Sequence, residues 1–191
     1  MTQDRRATAN RRALAIALVV VGVLVIAVAF VAGKAAAPGT PTFPPFGATT
    51  PPAGAAAAST RADIATALSA VGLQVEDVAT PFRPAEAPRV AAAPRLVIRA
   101  VIPGDPDHGR IVIYEFLSTP DATTAAQEQA TYLASGVGRV QFTPDTQFTL
   151  RVDGQTVVFY SWAAANASDP TRAAAVATAL QTVGFEVAVP S

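Results

Sequence analysis

The chain has 191 residues, enough for one domain of ordinary size together with accessory segments. Its 14 basic and 14 acidic residues cancel, which excludes the strongly basic surface typical of nucleic-acid binding. It contains no cysteine, so disulfides, thiolate nucleophiles, iron–sulfur clusters and a lipid-modified N-terminal cysteine are excluded as well.

The basic charge is concentrated at the start of the chain, where residues 1–12 hold four arginines and one aspartate. Residues 13–33 then form an uncharged, proline-free apolar run of 21 residues. At about 1.5 Å per residue, a helix of this length measures about 31 Å and matches a hydrocarbon core of about 30 Å. The sequence therefore predicts a transmembrane helix over 13–33 that contacts the lipid bilayer, preceded by a basic cytoplasmic tail over 1–12.

The charges that flank this run predict its orientation. Four arginines precede it, and Lys34 is the one basic residue in the segment that follows, so the N-terminus is expected in the cytoplasm and the C-terminal domain outside. The alternative is a cleavable secretory signal, which would leave the domain secreted. Apolar regions of such signals usually have about 7–15 residues, so the longer run favours a single-pass anchor in the cytoplasmic membrane.

Residues 34–59 have the composition of a spacer, with six prolines among alanine, threonine and glycine. Such a segment cannot build a core, and we expect a disordered linker between the membrane and a domain over 60–191. A proline-rich ligand for an aromatic groove is the alternative reading. No arginine flanks Pro41, Pro44 and Pro45 to orient such a peptide.

Three amphipathic helices are predicted in the domain, each from a start signal. Thr60 followed by Asp63 has the form of a capping box. Thr119 before Pro120, and Asp169 before its neighbouring proline, place a capping residue ahead of a first-turn proline. Their alanine content implies a close approach to the surface that they cover, most simply a sheet.

Alternating β-branched runs predict two strand pairs, 95–102 with 110–117 and 146–152 with 155–162. The second pair is joined at Asp153-Gly154, a dipeptide typical of a type I′ hairpin turn. Its first strand places Gln147, Thr149 and Arg151 on one face, which we expect to be wet.

An internal similarity links residues 65–75 to 177–187, with seven identities in eleven positions. Each segment reads as a helix end, a glycine and the start of a strand, with Gly72 and Gly184 in the left-handed region and Leu73 and Phe185 folded back onto the helix. A degenerate repeat and independent use of the same helix ending both explain the match. The predicted fold class is α+β, an antiparallel sheet of four to six strands with the three helices mostly on one face.

The order of these elements resembles a group of short exported bacterial domains, often lipoproteins, of unassigned function. The resemblance rests on the helix end at 67–72, the strands at 112–116 and 157–160, the alanine-rich helix between them, and a last helix ending in Leu180 and Gly184. It implies export and an α+β fold and supplies no active site. This chain departs from the group because it lacks the lipobox cysteine and carries the 13–33 run instead.

The loop between the first two strands holds the single histidine, His108, beside Asp105 and Asp107. Two carboxylates and an imidazole are able to bind a divalent cation or act in acid–base chemistry. The competing reading, which we favour, is a simple turn, because glycine, proline and aspartate dominate turns for backbone reasons.

Aromatic residues suggest a second candidate site. Tyr160 and Trp162 share one strand face, and Tyr114 and Phe116 share another. Where such a face lies away from the helices, it would form an interaction face for a partner or an apolar ligand. The alternative, which we favour, is that these residues are core, because strands apolar on both faces usually have both faces covered.

The sequence gives little support for catalysis, since one turn histidine and no cysteine leave the usual nucleophile arrangements without a base. Glu115 is the one acid in mid-strand, where burial would raise its pKa. We therefore expect a membrane-tethered extracytoplasmic module, without a cofactor or nucleic acid, that binds or scaffolds an envelope protein or ligand. Two alternatives remain open, an envelope hydrolase or metal-dependent enzyme centred on 105–108 and a signalling accessory subunit.

Overall fold

The structure is a computed structural model that describes residues 52–190. The predicted cytoplasmic tail, the predicted span over 13–33 and the predicted linker up to residue 51 lie outside the described residues. Within 52–190, none of the helices has the length and apolar character needed to cross a membrane.

Five helices and six strands are interspersed along the described chain. The helices are α1 Ala55–Ala70, α2 Pro88–Ala92, α3 Thr119–Ala134, α4 Gly136–Arg139 and α5 Pro170–Leu180, and the strands are β1 Gln74–Asp77, β2 Arg95–Val101, β3 Arg110–Glu115, β4 Gln147–Asp153, β5 Thr156–Trp162 and β6 Phe185–Glu186. The strands form one sheet in the order β1-β2-β3-β5-β4-β6, and all neighbours are antiparallel. The predicted antiparallel α+β fold is confirmed.

Helices cover both faces of this sheet. One core layer packs α1 and α5 on side chains such as Ile111 and Ile113, and the other packs α2 and α3 on side chains such as Val112 and Phe159. The prediction that the helices lie mostly on one face is therefore wrong. The central strands β3 and β5 are apolar on both sides, so each side needs a helix layer to exclude water.

Helix α1 begins earlier than the sequence predicts. It starts at Ala55, so the predicted capping residue Thr60 lies inside the helix and is 2 % exposed. The Thr60 hydroxyl donates to the Asp153 carboxylate at 2.8 Å and lies 2.8 Å from the Thr156 hydroxyl. Thr60 thus ties α1 to the β4–β5 turn, and residues 55–59, predicted for the linker, belong to the helix.

The other two helix starts are close to prediction. Asp169 caps α5, as predicted, by accepting a hydrogen bond from the Arg172 amide at 3.0 Å. At α3 the cap is Ser118 and not Thr119, because the Ser118 hydroxyl accepts from the Asp121 amide at 3.2 Å. Both caps satisfy an amide that the helix itself leaves unbonded.

The β4–β5 hairpin is confirmed, but its turn differs from the predicted one. Asp153 pairs with Thr156, so the two turn residues are Gly154 and Gln155. Gly154 has φ +55°, and within 52–190 no residue other than glycine has positive φ. A type I′ turn needs positive φ at both central residues, so the observed pattern is that of a type II′ turn with glycine first.

The two similar segments occupy equivalent positions in the fold. Gly72 (φ +75°) and Gly184 (φ +55°) follow α1 and α5, which lie on the same face, and lead into β1 and β6, the two edges of the sheet. Leu73 is buried, as predicted, whereas Phe185 is 48 % exposed, contrary to prediction. A strand of two residues at the edge gives Phe185 little to pack on.

The predicted wet face of β4 is confirmed only in part, since Gln147 is exposed and Thr149 is half-buried but Arg151 is buried. Its side chain is buried, and its Nε and Nη2 atoms donate to the carbonyl oxygens of Val183 and Gly184 at 2.5 and 2.8 Å. These carbonyls belong to the turn that ends α5, where a cation is favourably placed. Arg151 therefore fixes the end of α5 against the sheet.

Candidate functional site

The loop between β2 and β3 brings together two of its three candidate residues. The Oδ1 atom of Asp105 lies 2.5 Å from Nδ1 of His108, and its Oδ2 atom accepts from the Ser168 amide at 2.9 Å. Asp107 is exposed and takes no part. Across residues 52–190 there is no group of three or more potential metal ligands. The loop therefore forms a clasp between the β2–β3 loop and the segment leading into α5.

Asp105 is the electrostatic centre of this clasp. Burial by itself would raise the pKa of its carboxyl, but hydrogen bonds from His108 and the Ser168 amide, together with the charge of His108, outweigh burial and hold the pKa below its ordinary value. An ionised Asp105 that accepts hydrogen bonds from both neighbours stabilises the fold. These contacts give the loop a structural role.

The four aromatic residues of the predicted interaction face do not form one surface. Tyr114 and Tyr160 are each 1 % exposed and belong to opposite core layers. Phe116 and Trp162 are half-buried and pack at the margins of the same two layers. The interaction face is therefore corrected to core, because helices cover both sides of the sheet.

Both buried phenols keep their protons. The Tyr160 hydroxyl donates to the Ala173 carbonyl at 3.1 Å, and the Tyr114 hydroxyl donates to Oε1 of Glu86 at 2.7 Å. Burial raises the pKa of Tyr160 above its ordinary value, and the charge of Asp105 adds to the effect. Burial also raises the pKa of Tyr114 well above its ordinary value, with a further contribution from Glu86.

Glu86 is the most enclosed acid that the sequence did not single out. Its side chain is 5 % exposed, and Oε1 lies 2.5 Å from Nη1 of Arg95, which is itself 10 % exposed. The Arg95 guanidinium also lies 5.7 Å from the centre of the Tyr114 ring. This carboxylate is thus committed to an ion pair and a phenol and holds the 78–94 segment on the sheet. No sequence pattern marks Glu86, because its two closest partners, Arg95 and Tyr114, come from strands β2 and β3.

Glu115, the candidate acid that the sequence predicts in mid-strand, is the last residue of β3 and has a structural partner as well. Its Oε2 atom accepts from the amides of Gly54 and Ala57 at 2.6 and 3.2 Å. Gly54 is the N-cap of α1 and has no side chain with which to cap it. A strand carboxylate therefore caps α1, at the end where the helix dipole favours negative charge.

A groove of about 540 Å³ lies between α2 and α3. We call it the α2–α3 groove, and its lining residues are Ala87, Pro88, Thr124, Gln127, Glu128, Thr131, Tyr132 and Ser135. An ion pair of 3.0 Å between Arg89 and Glu128 spans the two helices. The short helix α4 that follows Ser135 leaves Val137 and Val140 exposed by 65 and 79 %.

Gln129 lies outside the lining of this groove and joins the two helices that form it. It is 1 % exposed, its Oε1 atom accepts from the Ala87 amide at 2.6 Å, and its Nε2 atom donates to the Ala85 carbonyl at 2.8 Å. Both the oxygen and the nitrogen of the side-chain amide are therefore used to fix the start of α2 against α3. The groove has no signature in the sequence, because α2 has only five residues and shows no helical period.

Comparisons with known proteins add no functional assignment. No known protein family matches the sequence, no curated protein is similar to it, and no solved structure matches its fold. The resemblance to exported bacterial domains therefore stays an expectation from the sequence.

Proposed function

We propose that the chain is a membrane-tethered extracytoplasmic module that binds or scaffolds another envelope component and carries out no catalysis. The observation that carries the proposal is the use of the enclosed ionisable side chains. Glu115 caps a helix, Arg151 holds the end of another, and Glu86 is paired with Arg95. Each of these groups is committed to the fold, so none is left to exchange protons with a substrate.

The α2–α3 groove is the place where we expect a partner to bind. It is open, rimmed by the Arg89–Glu128 pair and continued by the exposed valines of α4. Tyr132 contributes an aromatic ring with a polar end, a type of residue enriched in interfaces. An apolar centre with a charged rim is typical of a protein-binding surface.

Site-specific crosslinking in intact cells tests the groove. A benzoylphenylalanine residue at Thr131 or Gln127 should give the same discrete adduct, and Tyr132→Ala should abolish it. The matched control is Thr178, an exposed threonine on α5 at the opposite face of the sheet. Groove positions that give no more adduct than Thr178 would exclude binding there.

The tether is tested separately. Protease added to spheroplasts should remove the domain and leave the segment before residue 34 with the membrane, as expected for an apolar run of 21 residues with arginines on its inner side. A domain that resists protease until the membrane is lysed would contradict export.

A metal-dependent enzyme centred on the 105–108 loop is the competing function. It predicts that a divalent cation raises the unfolding temperature of the chain through Asp105 and His108. Our proposal predicts no such shift, because both side chains already bond each other.

A further inference from the structure

A polar cavity of about 250 Å³ lies beside the sheet where β1, β2 and β3 adjoin. Two strand arginines, Arg99 and Arg110, line it together with residues 76–80 and Pro106. The strand register places Arg99 directly opposite Arg110. Two like charges in such a pair destabilise a sheet, so an anion bound beside them would stabilise it.

Arg99 has an unfilled hydrogen-bond donor. Its Nη2 atom lies 2.6 Å from Oε1 of Glu76, and its Nη1 atom donates to the Pro106 carbonyl. Its Nε atom is buried and has no partner, and it is the one buried side-chain nitrogen or oxygen within 52–190 of which this is true. Leaving a charged donor unbonded in a buried position costs free energy, and such donors are rare in well-packed domains.

Arg110 is held in position without using its donors. Its guanidinium carbon lies 5.1 Å from the centre of the Phe82 ring, and no carboxylate of the described chain is within 4.0 Å of its nitrogens. Stacking on a ring uses the face of the guanidinium and leaves its five N–H groups available. Arg110 is therefore oriented and still able to bind a ligand.

The acids at the cavity already have partners. Glu76 is bonded to Arg99, and Asp77 lies 2.8 Å from Nε of Arg61. Two guanidinium groups and two carboxylates thus line the cavity, and Arg61 pairs with Asp77 from outside this lining. Thr80, an exposed residue, also lines the cavity. Among the described residues, both carboxylates are therefore paired, whereas Arg99 Nε and the Arg110 guanidinium keep donors without an acceptor.

We propose that this cavity binds an oxyanion, a phosphate or carboxylate group carried by a small solute or by the head group of an anionic lipid. Guanidinium groups bind such oxygens in pairs, with strong charge-assisted hydrogen bonds. Since one water occupies about 30 Å³ of liquid, the volume accommodates a phosphate and several further atoms. This site is separate from the α2–α3 groove and does not depend on it.

The test uses the full chain in phosphatidylcholine nanodiscs, with the Nε–H signals of its arginines followed by NMR. Inorganic phosphate or acetate should shift the Arg99 and Arg110 signals saturably, beyond the effect of sodium chloride at equal ionic strength. Arg110→Gln should weaken binding at least about tenfold. Arg139→Gln is the matched control, because Arg139 also lies over a ring, at 5.3 Å from Phe148, but does not line the cavity.

A second arm identifies the source of the anion. If a lipid head group is the ligand, phosphatidylglycerol in the nanodiscs should reproduce the shift without added phosphate. If a solute is the ligand, only added phosphate or acetate should produce the shift. No saturable shift with any of the three, or an equal loss in both glutamine variants, would overturn the proposal. Should Arg110→Gln not fold, Arg110→Lys decides, because it keeps the charge and loses the paired hydrogen bonds.

Discussion

Replacement of Glu115 tests whether this carboxylate caps α1 or serves as an acid. Its Oε2 atom accepts from two amides, at 2.6 Å from Gly54 and 3.2 Å from Ala57. Loss of a helix cap costs about 0.5–2 kcal/mol, and loss of a charge at a helix N-terminus costs about 0.3–1 kcal/mol. We therefore expect Glu115→Ala to lower the free energy of unfolding by about 2 kcal/mol. Glu115→Gln, which keeps an acceptor oxygen, should lower it by about 0.5–1 kcal/mol.

The measurement is urea and thermal unfolding of residues 35–191, followed by the fluorescence of the single tryptophan, Trp162. For a domain of this size we expect Tm to fall by about 6–8 °C for the alanine variant and about 2–4 °C for the glutamine variant. Glu186→Gln is the control, because Glu186 is exposed on β6 and should change stability by no more than about 0.5 kcal/mol. Glu115 variants as stable as this control would refute the capping role.

Three further predictions follow from contacts in the described chain. A fragment that starts at Thr60 should be at least about 2 kcal/mol less stable in urea than one that starts at Pro52, because it lacks the first turn of α1 and both amides bonded to Glu115. Equal stabilities would show that this turn does not matter. Tyr160→Phe should lose about 1 kcal/mol at pH 8, with its hydrogen bond. Because the folded pKa of Tyr160 is raised, the stability advantage of the wild type over Tyr160→Phe should shrink by about 1.4 kcal/mol per pH unit above pH ~10, and the two proteins should become equal near pH ~11. A difference independent of pH would contradict this. Asp105→Asn should destabilise the domain at pH 7, and the difference in stability should vanish in acid. The pKa of Asp105 is lower in the folded state than its ordinary value of about 3.9, so the ionised carboxylate stabilises the fold above that pH. This stabilisation is lost as the pH falls through the pKa of the folded state. An Asp105→Asn variant as stable as wild type at pH 7 would show that the clasp does not stabilise the domain.

Local patterns predicted the elements well wherever the signal lies in neighbouring residues. The β4–β5 hairpin, the Asp169 cap and the left-handed Gly72 and Gly184 all depend on a few adjacent residues, and each is present. The errors are of the same local kind, such as the Ser118 cap one residue earlier than expected. Such shifts arise because tertiary contacts select among neighbouring residues of similar capping ability.

Contacts between distant segments decided the roles of the polar residues. Glu115 looked like a candidate acid in the sequence, and it caps a helix 58 residues away along the chain. Arg151 was predicted to face solvent, and its side chain is buried against the turn after α5. The Arg99–Arg110 pair became visible only through the register of β2 and β3. No spacing along the chain carries this information, because each contact joins elements that the fold brings together.

The sequence by itself determined the class of the domain, since strand and helix periods, turn glycines and caps are properties of short segments. It also predicts the span over 13–33, which lies outside the described residues. The tertiary structure decided which side of the sheet each helix covers, which aromatic residues are buried and which charges remain without partners. These depend on how much apolar surface each face must hide and on which polar groups are then enclosed together, and both quantities exist only once the chain has folded.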